Sequence, residues 1–402
     1  MALLDKLRRI SAPAGLGVVP PSGGELPGGR FEGAWGATWL RRERFACRHI
    51  HGEVALGDLR RAAPPLLAEV ARDPALSGID LTRAVFFDSE TTSLGGGVST
   101  YVFLLGLGWF EGAEFVVEQH FLSDLTEEEA LLREVNARFA RFDVAVSFHG
   151  KGFDAPRLSG RLAFHRLPLA LPRNHLDLCQ IARSLYRGAF SDCRLQTLER
   201  ALVAFRRDDD LPGAECPQAY FSYLQGDRSV IPRVFEHNLL DVLTLPAMAV
   251  CFSREIEAPA HPVVLANLGA FYEASGRDRE ARDSYRAALA GLAQARHALY
   301  PRSLERLALL ERRAGRHAES AALLEVRRDT QPFSVQALED LSKHFEHRVR
   351  DFGRAEEAAL DARSRLLTGK ISIEPRLRQQ ALRSLDHRLD RLRRRRGAAG
   401  QS

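Results

Sequence analysis

The feature that most constrains the fold of this 402-residue chain is a series of apolar, β-rich runs in its first half. The run 84–87 (AVFF) is continuously apolar, as expected of a buried strand. Two further runs, 100–110 and 114–122, are joined by a short connection typical of a hairpin. A stretch with helical spacing follows, and two more short strands, at 143–150 and 175–178, alternate with helices. This order predicts a mixed α/β domain built on one central sheet.

The composition changes along the chain and divides it into four predicted segments. Glycine and proline are frequent between Ala14 and Gly36, which favours a linker or an irregular covering arm before the sheet. The pattern after the α/β domain is helical and ends in an arginine-rich stretch. The predicted segments are a partly irregular N-terminal arm (1–80), the α/β domain (81–255), helical repeats (262–370) and a basic tail (371–402).

The helical segment contains a weak internal repeat. Gly276, Gly315 and Gly353 recur at intervals of 39 and 38 residues, each followed by a similar alanine-rich stretch. Small and large residues alternate around the first of them in the manner of tetratricopeptide repeats, whose ideal period is about 34 residues. The segment is therefore predicted to be tetratricopeptide-like, and an ordinary helical bundle is the alternative.

The positive charge of the chain is concentrated at its end. Residues 371–402 contain nine arginines and three acidic residues and carry a net charge of +6, whereas the whole chain carries +5. The stretch RLRRRRG (391–397) is suited to contacting nucleic acid. A solvated helix end is an equally good interpretation of the same residues.

The sequence also indicates a cellular compartment. No stretch approaches the roughly 20 apolar residues of a membrane helix, so no membrane association is expected. Charges at Asp5, Lys6, Arg8 and Arg9 interrupt the apolar core that a secretory signal would need. The expected location is the cytoplasm.

The five cysteines do not form a recognisable pattern. Their number is odd and no two of them are spaced as C-x-x-C, so neither a disulfide framework nor a cysteine zinc site is expected. Buried thiols are the simpler interpretation. The cysteines are Cys47, Cys179, Cys193, Cys216 and Cys251.

Two carboxylates follow the first buried strand. Asp88 and Glu90 lie two residues apart in FFDSETTSL, so their side chains project from the same face of a strand. Two unpaired acids at one place repel each other and are costly to desolvate, and a divalent cation would remove that cost. The alternative is a pair of exposed turn or cap residues.

Three other residues extend this acidic set. Asp154 precedes Pro156 and therefore lies near the start of a helix, where it could also be an ordinary N-cap. His237 and Asp241 are one helical turn apart and share a helix face, as a simple surface pair also would. Four carboxylates in one α/β domain can converge on two Mg²⁺ or Mn²⁺ ions, which prefer oxygen ligands.

The motifs around these carboxylates resemble the DEDD exonuclease superfamily and, more closely, the YprB-like ribonuclease-H-like proteins. The resemblance covers about residues 81–252 closely and 253–366 in architecture, and the segment 41–52 is similar to the region that precedes the nuclease domain in that family. The motifs are D-x-E-T-T (Asp88, Glu90), H-G-K-x-F-D (Asp154), the L-D-L strand and H-x-x-x-D (His237, Asp241).

The resemblance implies a fold and a set of roles. The fold is an α/β ribonuclease-H-like domain with a central mixed sheet flanked by helices, followed by an all-α tetratricopeptide-like domain. The four carboxylates would hold two metal ions, and His237 would orient or deprotonate the attacking water. Two features depart from the family pattern. His149 stands where relatives often have Asn, and His237 precedes Asp241 by the four-residue spacing of the tyrosine subclass although it is a histidine.

Three residues near the acids are weaker candidates for substrate binding. Lys151 could meet a substrate phosphate, and a solvated surface lysine is the alternative. Thr91 and Thr92 could contact the terminal nucleotide, or they could shape the turn after the strand.

The function implied by the resemblance is a metal-dependent 3′→5′ exonuclease that hydrolyses phosphodiester bonds. Its partners would be DNA or RNA with a single-stranded or frayed 3′ end, and a protein could bind the helical repeats. The rival hypothesis is an inactive nuclease fold that acts as a scaffold through those repeats. The presence of all four carboxylates favours the enzyme.

Overall fold

The computed structural model describes residues 25–93 and 100–399. Residues 1–24 of the predicted arm and the last three residues of the predicted tail lie outside the described part. The chain forms two compact units, Met1–Pro259 and Ala260–Ser402. Among the helices of the described ranges, none combines the length and the apolar character needed to cross a bilayer.

The first unit contains a seven-stranded sheet and a separate two-stranded one. The strand order in the large sheet is β1-β2-β7-β6-β5-β8-β9. Each strand in the series β1, β2, β7, β6, β5 is antiparallel to the next, whereas β5, β8 and β9 run parallel to one another. The small sheet pairs β3 with β4. The strands are β1 (Gly29–Gly33), β2 (Gly36–Ala46), β3 (Ile50–His51), β4 (Val54–Ala55), β5 (Ala84–Thr91), β6 (Val102–Glu111), β7 (Glu114–Phe121), β8 (Val144–Ser147) and β9 (Asn174–Asp177).

The predicted order of elements between β5 and β9 is confirmed. β6 and β7 form the expected hairpin, which closes with Glu111 opposite Glu114. β5 is buried along nearly its whole length because it lies between β6 and β8 in the middle of the sheet. The acids at its end are therefore carried by a strand that has hydrogen-bonded neighbours on both sides.

The irregular segment predicted between Ala14 and Gly36 differs from the expectation in its described part, because residues 29–33 form β1 and β2 begins at Gly36. β2 pairs with β7 over eight residues, and Arg42 donates hydrogen bonds to the buried Glu118 opposite it. The indole of Trp39 donates to the carbonyl oxygen of Pro27 at 2.7 Å. Glycine and proline disfavour regular structure locally, but here β1 pairs with β2 and β2 pairs with β7, and these pairings supply the backbone hydrogen bonds.

Helices cover the sheet of the first unit. Apolar side chains of the sheet pack against them in one large core that includes Phe87, Phe103, Phe121, Phe139 and Phe235. The helices are α1 (Pro64–Ala71), α2 (Glu128–Phe139), α3 (Asp154–Phe164), α4 (Leu178–Tyr186), α5 (Leu195–Leu198, continued by a π-turn at Glu199–Val203), α6 (Cys216–Leu224) and α7 (Ile231–Glu257).

The regular elements among the described residues of the second unit are all helices. Its helices pack as consecutive neighbours, and Leu338, Leu341, Ala359 and Leu366 lie in its main core. The helices are α8 (Pro262–Ala274), α9 (Asp278–Gln294), α10 (Tyr300–Arg313), α11 (His317–Arg328), α12 (Val335–His344), α13 (Phe352–Leu367) and α14 (Pro375–Ala399).

The predicted basic tail differs from a solvated appendage, because most of it is the packed helix α14. Leu385, Leu389 and Leu392 are buried in the core of the second unit. Three of its arginines, at 388, 391 and 395, contact the buried carboxylate of Glu346. Arg393 and Arg396 both contact Glu356. The helical spacing of the leucines, within an arginine-rich sequence, thus places this segment in the core of the second unit.

Two glycines of β6 let helix α7 approach the sheet closely. A Cβ atom at Gly106 would overlap the side-chain oxygen of Asn238 and come within 2.7 Å of Val242, and one at Gly108 would come within 2.7 Å of Val242. Because neither glycine carries a side chain, α7 packs directly on β5 and β6. This contact sets the distance between the helix and the acids of β5.

The close approach of α7 generates a stability prediction. We expect Gly106→Ala to lower the free energy of unfolding by about 1–3 kcal/mol, because the added methyl overpacks a buried contact. Thermal or urea unfolding of the full chain measures this. Gly160→Ala in α3 is the matched control, since a Cβ there meets open space; it should be neutral or stabilising. Equal stability of the two variants would contradict the prediction.

Candidate metal centre

Three of the four predicted carboxylates meet where β5 ends against α7. Asp88, Glu90 and Asp241 each offer an oxygen atom, and these atoms all lie within 4.8 Å of one another. Glu90 is buried, and the side chain of Asp241 is 13% exposed. These three carboxylates form a single acidic cluster, because strand spacing places Asp88 and Glu90 on one face and α7 brings Asp241 to the same place.

Two amide side chains fix the position of Asp88. Asn238 donates from Nδ2 to a carboxylate oxygen of Asp88 at 3.0 Å and to its backbone carbonyl at 3.1 Å. Gln119 on β7 in turn donates to the Asn238 oxygen at 2.9 Å. This chain of hydrogen bonds ties α7 to both β5 and β7, so the carboxylate has little freedom to rotate.

Asp154 lies beside this cluster as the first residue of α3. It is 5% exposed, and its carboxylate accepts a hydrogen bond from the hydroxyl of Ser89. Asp154 does not cap the helix, because the residue at the cap position is Phe153. Its charge interacts with those of Asp88 and Glu90. The N-cap alternative is thus not observed, and the fourth acid adds its charge to the same region.

His237 is held between three carboxylates. Its Nδ1 lies 3.0 Å from a carboxylate oxygen of Asp210, and its Nε2 lies 3.5 Å from Asp241 and 3.8 Å from Glu90. The Asp210 carboxylate accepts the Nδ1 proton, which leaves Nε2 directed at the acidic cluster. The ring is 5% exposed, so its orientation is fixed by these contacts.

Arg207 binds the outer side of the same group. Its guanidinium donates to Asp241 at 2.5 Å, to both oxygens of Glu199 at 2.8 and 3.1 Å, and to Asp210 at 3.3 Å. Glu199 is also contacted by His51, from the segment that precedes β5. A buried, fully charged guanidinium thus offsets part of the negative charge and holds one oxygen of Asp241.

Burial and mutual repulsion shift the ionisation of the acids. Desolvation, followed by the charges of Asp241 and Asp154, raises the pKa of Asp88 well above its ordinary value. Desolvation raises the pKa of Glu90 to about 8 against the lowering effect of His237, and it raises the pKa of Asp154 to about 6. Without cations the cluster therefore retains protons that ordinary carboxylates lose.

For the pKa of His237, the neighbouring charges outweigh the effect of burial. Burial lowers the pKa of an imidazole, but the hydrogen bond to Asp210 and the charges of Asp241 and Glu90 outweigh burial and raise the pKa of His237 to about 9. An unperturbed imidazole has a pKa of about 6.5. The cation-free site differs, because the acids around His237 stabilise the imidazolium.

The two threonines after the acids have intramolecular partners. The Thr91 hydroxyl donates to the carbonyl of Ser93 at 3.0 Å, and the side chain is buried. The Thr92 hydroxyl accepts the backbone N–H of Tyr101 at 2.9 Å. These contacts favour the alternative in which both residues shape the turn after β5.

Asp177 organises the loop that carries Lys151. Its carboxylate accepts the backbone N–H groups of His149 at 2.7 Å, Lys151 at 3.1 Å and Cys179 at 3.0 Å. The Lys151 ammonium lies 3.5 Å from Asp73, and its side chain is 33% exposed. Lys151 is therefore held on a fixed loop with its charge still accessible to an anion.

The donor set fits hard divalent cations. Carboxylate oxygens converge from β5 and α7, a fourth carboxylate adds charge, and oxygen ligands suit Mg²⁺ and Mn²⁺. Asn238 and Gln119 supply the outer contacts that orient ligands in such sites. The residues present therefore fit the divalent ions that the sequence predicts.

Sequence reasoning missed four residues of this region. Asn238, Asp210, Arg207 and Cys216 all contact or adjoin the acidic cluster. Asn238 lies three residues before Asp241 on α7, and this helical spacing is the signal that could have placed it near the acids. Asp210 belongs to a run of three aspartates, but nothing in that run distinguishes the one that faces the histidine.

Comparisons with known proteins agree with the fold. Residues 85–252 match a family model described as the RNase_H superfamily. The chain is 28% identical over 344 residues to a Bacillus subtilis (strain 168) protein named "Uncharacterized protein YprB", covering 80% of this chain and 79% of that protein. The first unit therefore contains a ribonuclease-H-like domain, and the predicted fold class, with a helical region after it, is confirmed.

One solved structure is a more distant match. The family B DNA polymerase from the archaeon Pyrobaculum calidifontis has a TM-score of 0.34 and 16% identity to this chain. The match covers 47% of this chain and 28% of the polymerase chain. At this distance the likeness carries no argument about activity.

The crowded acids generate a prediction about metal and pH. In the cation-free protein the pKa of Glu90 rises from 4.5 to about 8 on folding. Stability should therefore be greatest below pH 4.5 as far as this group is concerned, and it should fall as pH rises towards 8. Mn²⁺ at about 100 times its Kd should stabilise by about 2.7 kcal/mol. At one fixed Mn²⁺ concentration the stabilisation should be larger at pH 8 than at pH 6, because protons compete with the cation for the carboxylates.

Thermal melting with and without Mn²⁺ at the two pH values measures this effect. Asp88→Asn is the matched control, because it keeps the shape of the side chain and removes its charge. This variant should melt higher than the wild type without metal at pH 8 and should lose most of the Mn²⁺ shift. An equal Mn²⁺ shift in both proteins would exclude the acidic cluster as the binding site.

Proposed function

We propose that the protein is a metal-dependent 3′→5′ exonuclease that hydrolyses phosphodiester bonds of nucleic acid with two Mg²⁺ or Mn²⁺ ions. The observation that carries this proposal is the meeting of Asp88, Glu90 and Asp241 within ligand distance in a ribonuclease-H-like domain. Asp154 and His237 lie at the same place. A hydrolase needs ligands, a proton acceptor and room for a charged substrate, and these residues supply the first two.

The carboxylates act by holding charge in a fixed geometry. When bound, two divalent ions would activate the attacking water and offset charge on the scissile phosphate and the leaving oxygen. The Asn238 and Gln119 amides hold Asp88, and Arg207 holds one oxygen of Asp241. Such preorganisation reduces the rearrangement that is needed as charge develops in the transition state.

His237 is the proposed proton acceptor. Its Nε2 is directed at Glu90 and Asp241, while Asp210 fixes the tautomer by accepting the Nδ1 proton. The charges of those two acids contribute to its raised pKa. With cations held by the acids, that charge would be offset, and a neutral His237 would be able to accept a proton from the attacking water.

Preference for a free 3′ end is the finer part of the proposal. It is supported by the resemblance of the D-x-E-T-T, H-G-K-x-F-D and H-x-x-x-D motifs and by the enclosed position of the acids, since Glu90 and Asp154 are both more than nine-tenths buried. An unstacked terminal nucleotide reaches such a site more easily than an internal position of a duplex. Lys151 is the proposed contact for a substrate phosphate.

The reaction class generates a prediction about substrates. End-labelled single-stranded DNA and RNA should be shortened from the 3′ end in the presence of Mg²⁺ or Mn²⁺, and a blocked 3′ terminus should stop the reaction. Gel analysis of 5′-labelled and 3′-labelled strands measures the polarity. Digestion of circular single-stranded DNA as fast as linear DNA would show an endonuclease, and no digestion of any substrate would favour the scaffold alternative.

The position of His237 generates a second prediction. General-base assistance is worth about 100- to 10,000-fold, so His237→Ala should lower turnover by that factor while Mn²⁺ binding is largely kept. Asp241→Ala should damage both. Asp210→Asn should lower the pKa of His237 and move the acidic limb of the pH–rate profile to lower pH. Near-wild-type turnover of His237→Ala would leave the histidine as a packing residue.

A further inference from the structure

Cys216 adjoins the acidic cluster and has no role in the proposed hydrolysis. It is the first residue of α6 and is fully buried. Its thiol makes a hydrogen bond with the Glu90 carboxylate. A sulfur atom is thus placed beside a proposed Mg²⁺ or Mn²⁺ ligand, although those ions prefer oxygen.

Cys216 also completes a second group of possible ligands. The Cys216 sulfur, a Glu90 oxygen and a His237 nitrogen all lie within 4.8 Å of one another, and His237 Nε2 is 3.8 Å from Glu90 Oε1. A tetrahedral ion with the usual Zn²⁺ bond lengths holds its ligand atoms roughly 3.3–3.7 Å apart. Small side-chain movements would therefore bring the three atoms to that spacing.

The chemistry of this second group differs from that of the first. One sulfur, one nitrogen and one oxygen suit Zn²⁺ and related thiophilic ions, whereas the group of Asp88, Glu90 and Asp241 offers oxygen alone. Asp210 accepts the Nδ1 proton of His237 at 3.0 Å. A carboxylate on the far nitrogen of a ligating histidine is a common outer contact in metal sites, where it fixes the tautomer that leaves Nε2 free.

We propose that Glu90, Cys216 and His237 form a second site, overlapping the first, for thiophilic divalent cations of the Zn²⁺ and Cd²⁺ class. Because Glu90 belongs to both groups, an ion at this site competes with full occupation of the Asp88–Glu90–Asp241 group. Coordination releases the thiol proton of Cys216 to solvent. The consequence for activity rests on the proposed nuclease function: such ions inhibit, because they withdraw a carboxylate ligand and the proton acceptor together.

Cadmium titration of the full chain tests the site without reference to activity. A cadmium–thiolate bond produces an ultraviolet absorption band, and the wild type should develop that band at one equivalent of Cd²⁺. Cys216→Ser should lose the band and bind Cd²⁺ at least about 100-fold more weakly, since even loss of an outer contact costs 10- to 100-fold. Cys179→Ser is the matched control, because Cys179 is also buried in the first unit, and it should keep the band.

Two further measurements keep the test decisive if Cys216→Ser folds poorly. Asp210→Asn should weaken Cd²⁺ binding by about 10- to 100-fold while the thiolate band remains at saturation. Excess Mg²⁺ should raise the apparent Kd for Cd²⁺ in the wild type. No thiolate band in the wild type, or an unchanged band in Cys216→Ser, would overturn the proposal.

An activity assay separates this proposal from the proposed function. If the protein digests nucleic acid with Mg²⁺, the Zn²⁺ concentration for half-inhibition should rise at least about 10-fold in Cys216→Ser, with each protein compared with its own zinc-free rate. If no activity is found, the cadmium band still decides whether the site exists. Equal zinc sensitivity of the two proteins would exclude the inhibitory role.

Discussion

The close packing of α7 on β5 and β6 is the contact on which the candidate site depends. Asp88 and Glu90 come from the strand, whereas His237 and Asp241 come from the helix, and the missing side chains at Gly106 and Gly108 let the two approach. Asn238 fixes the position of α7 along β5, because it donates hydrogen bonds to both the side chain and the backbone of Asp88. Backbone packing thus determines a geometry that the acids could not adopt by themselves.

The same packing is electrostatically unfavourable, because it buries several acids close together. Burial and mutual repulsion raise the pKa values of Asp88, Glu90 and Asp154, and the surrounding acids raise the pKa of His237. Arg207 offsets part of this charge from one side, where it contacts Asp241. The interior of the cluster remains short of positive charge, which is the condition under which a divalent cation binds strongly and a proton is released in exchange.

Much of this arrangement follows from local sequence rules. The period of a strand puts Asp88 and Glu90 on one face, the period of a helix does the same for His237 and Asp241, and the order of apolar runs predicts the sheet from β5 to β9. These inferences succeed because each depends on neighbours within a few positions. The resemblance to ribonuclease-H-like motifs added the expectation that the separate pairs converge.

Other parts depend on distant pairing and could not be predicted in this way. β1 lies in the segment that composition predicts to be irregular. It forms because it pairs with β2, which is itself held by β7, far along the chain. The arginines near the end of the chain suggest a basic tail, although buried leucines at 385, 389 and 392 hold the helix in the core of the second unit. Cysteine spacing gives no sign of a mixed site, since Cys216 meets a histidine and a glutamate from other elements.

The hydrogen bonds of Glu199 carry a consequence for where the cooperative folding unit begins. Glu199 links Arg207, and through it Asp241, to His51 and Thr244 in the interior of the first unit. His51 precedes the segment 85–252 that matches the superfamily model, as do the two strands that cover the edge of β7. A fragment cut at the matched boundaries would expose a strand edge and leave a buried carboxylate without one of its partners. The folded unit that holds the acidic cluster is therefore longer than the matched segment, and it starts upstream of Asp88.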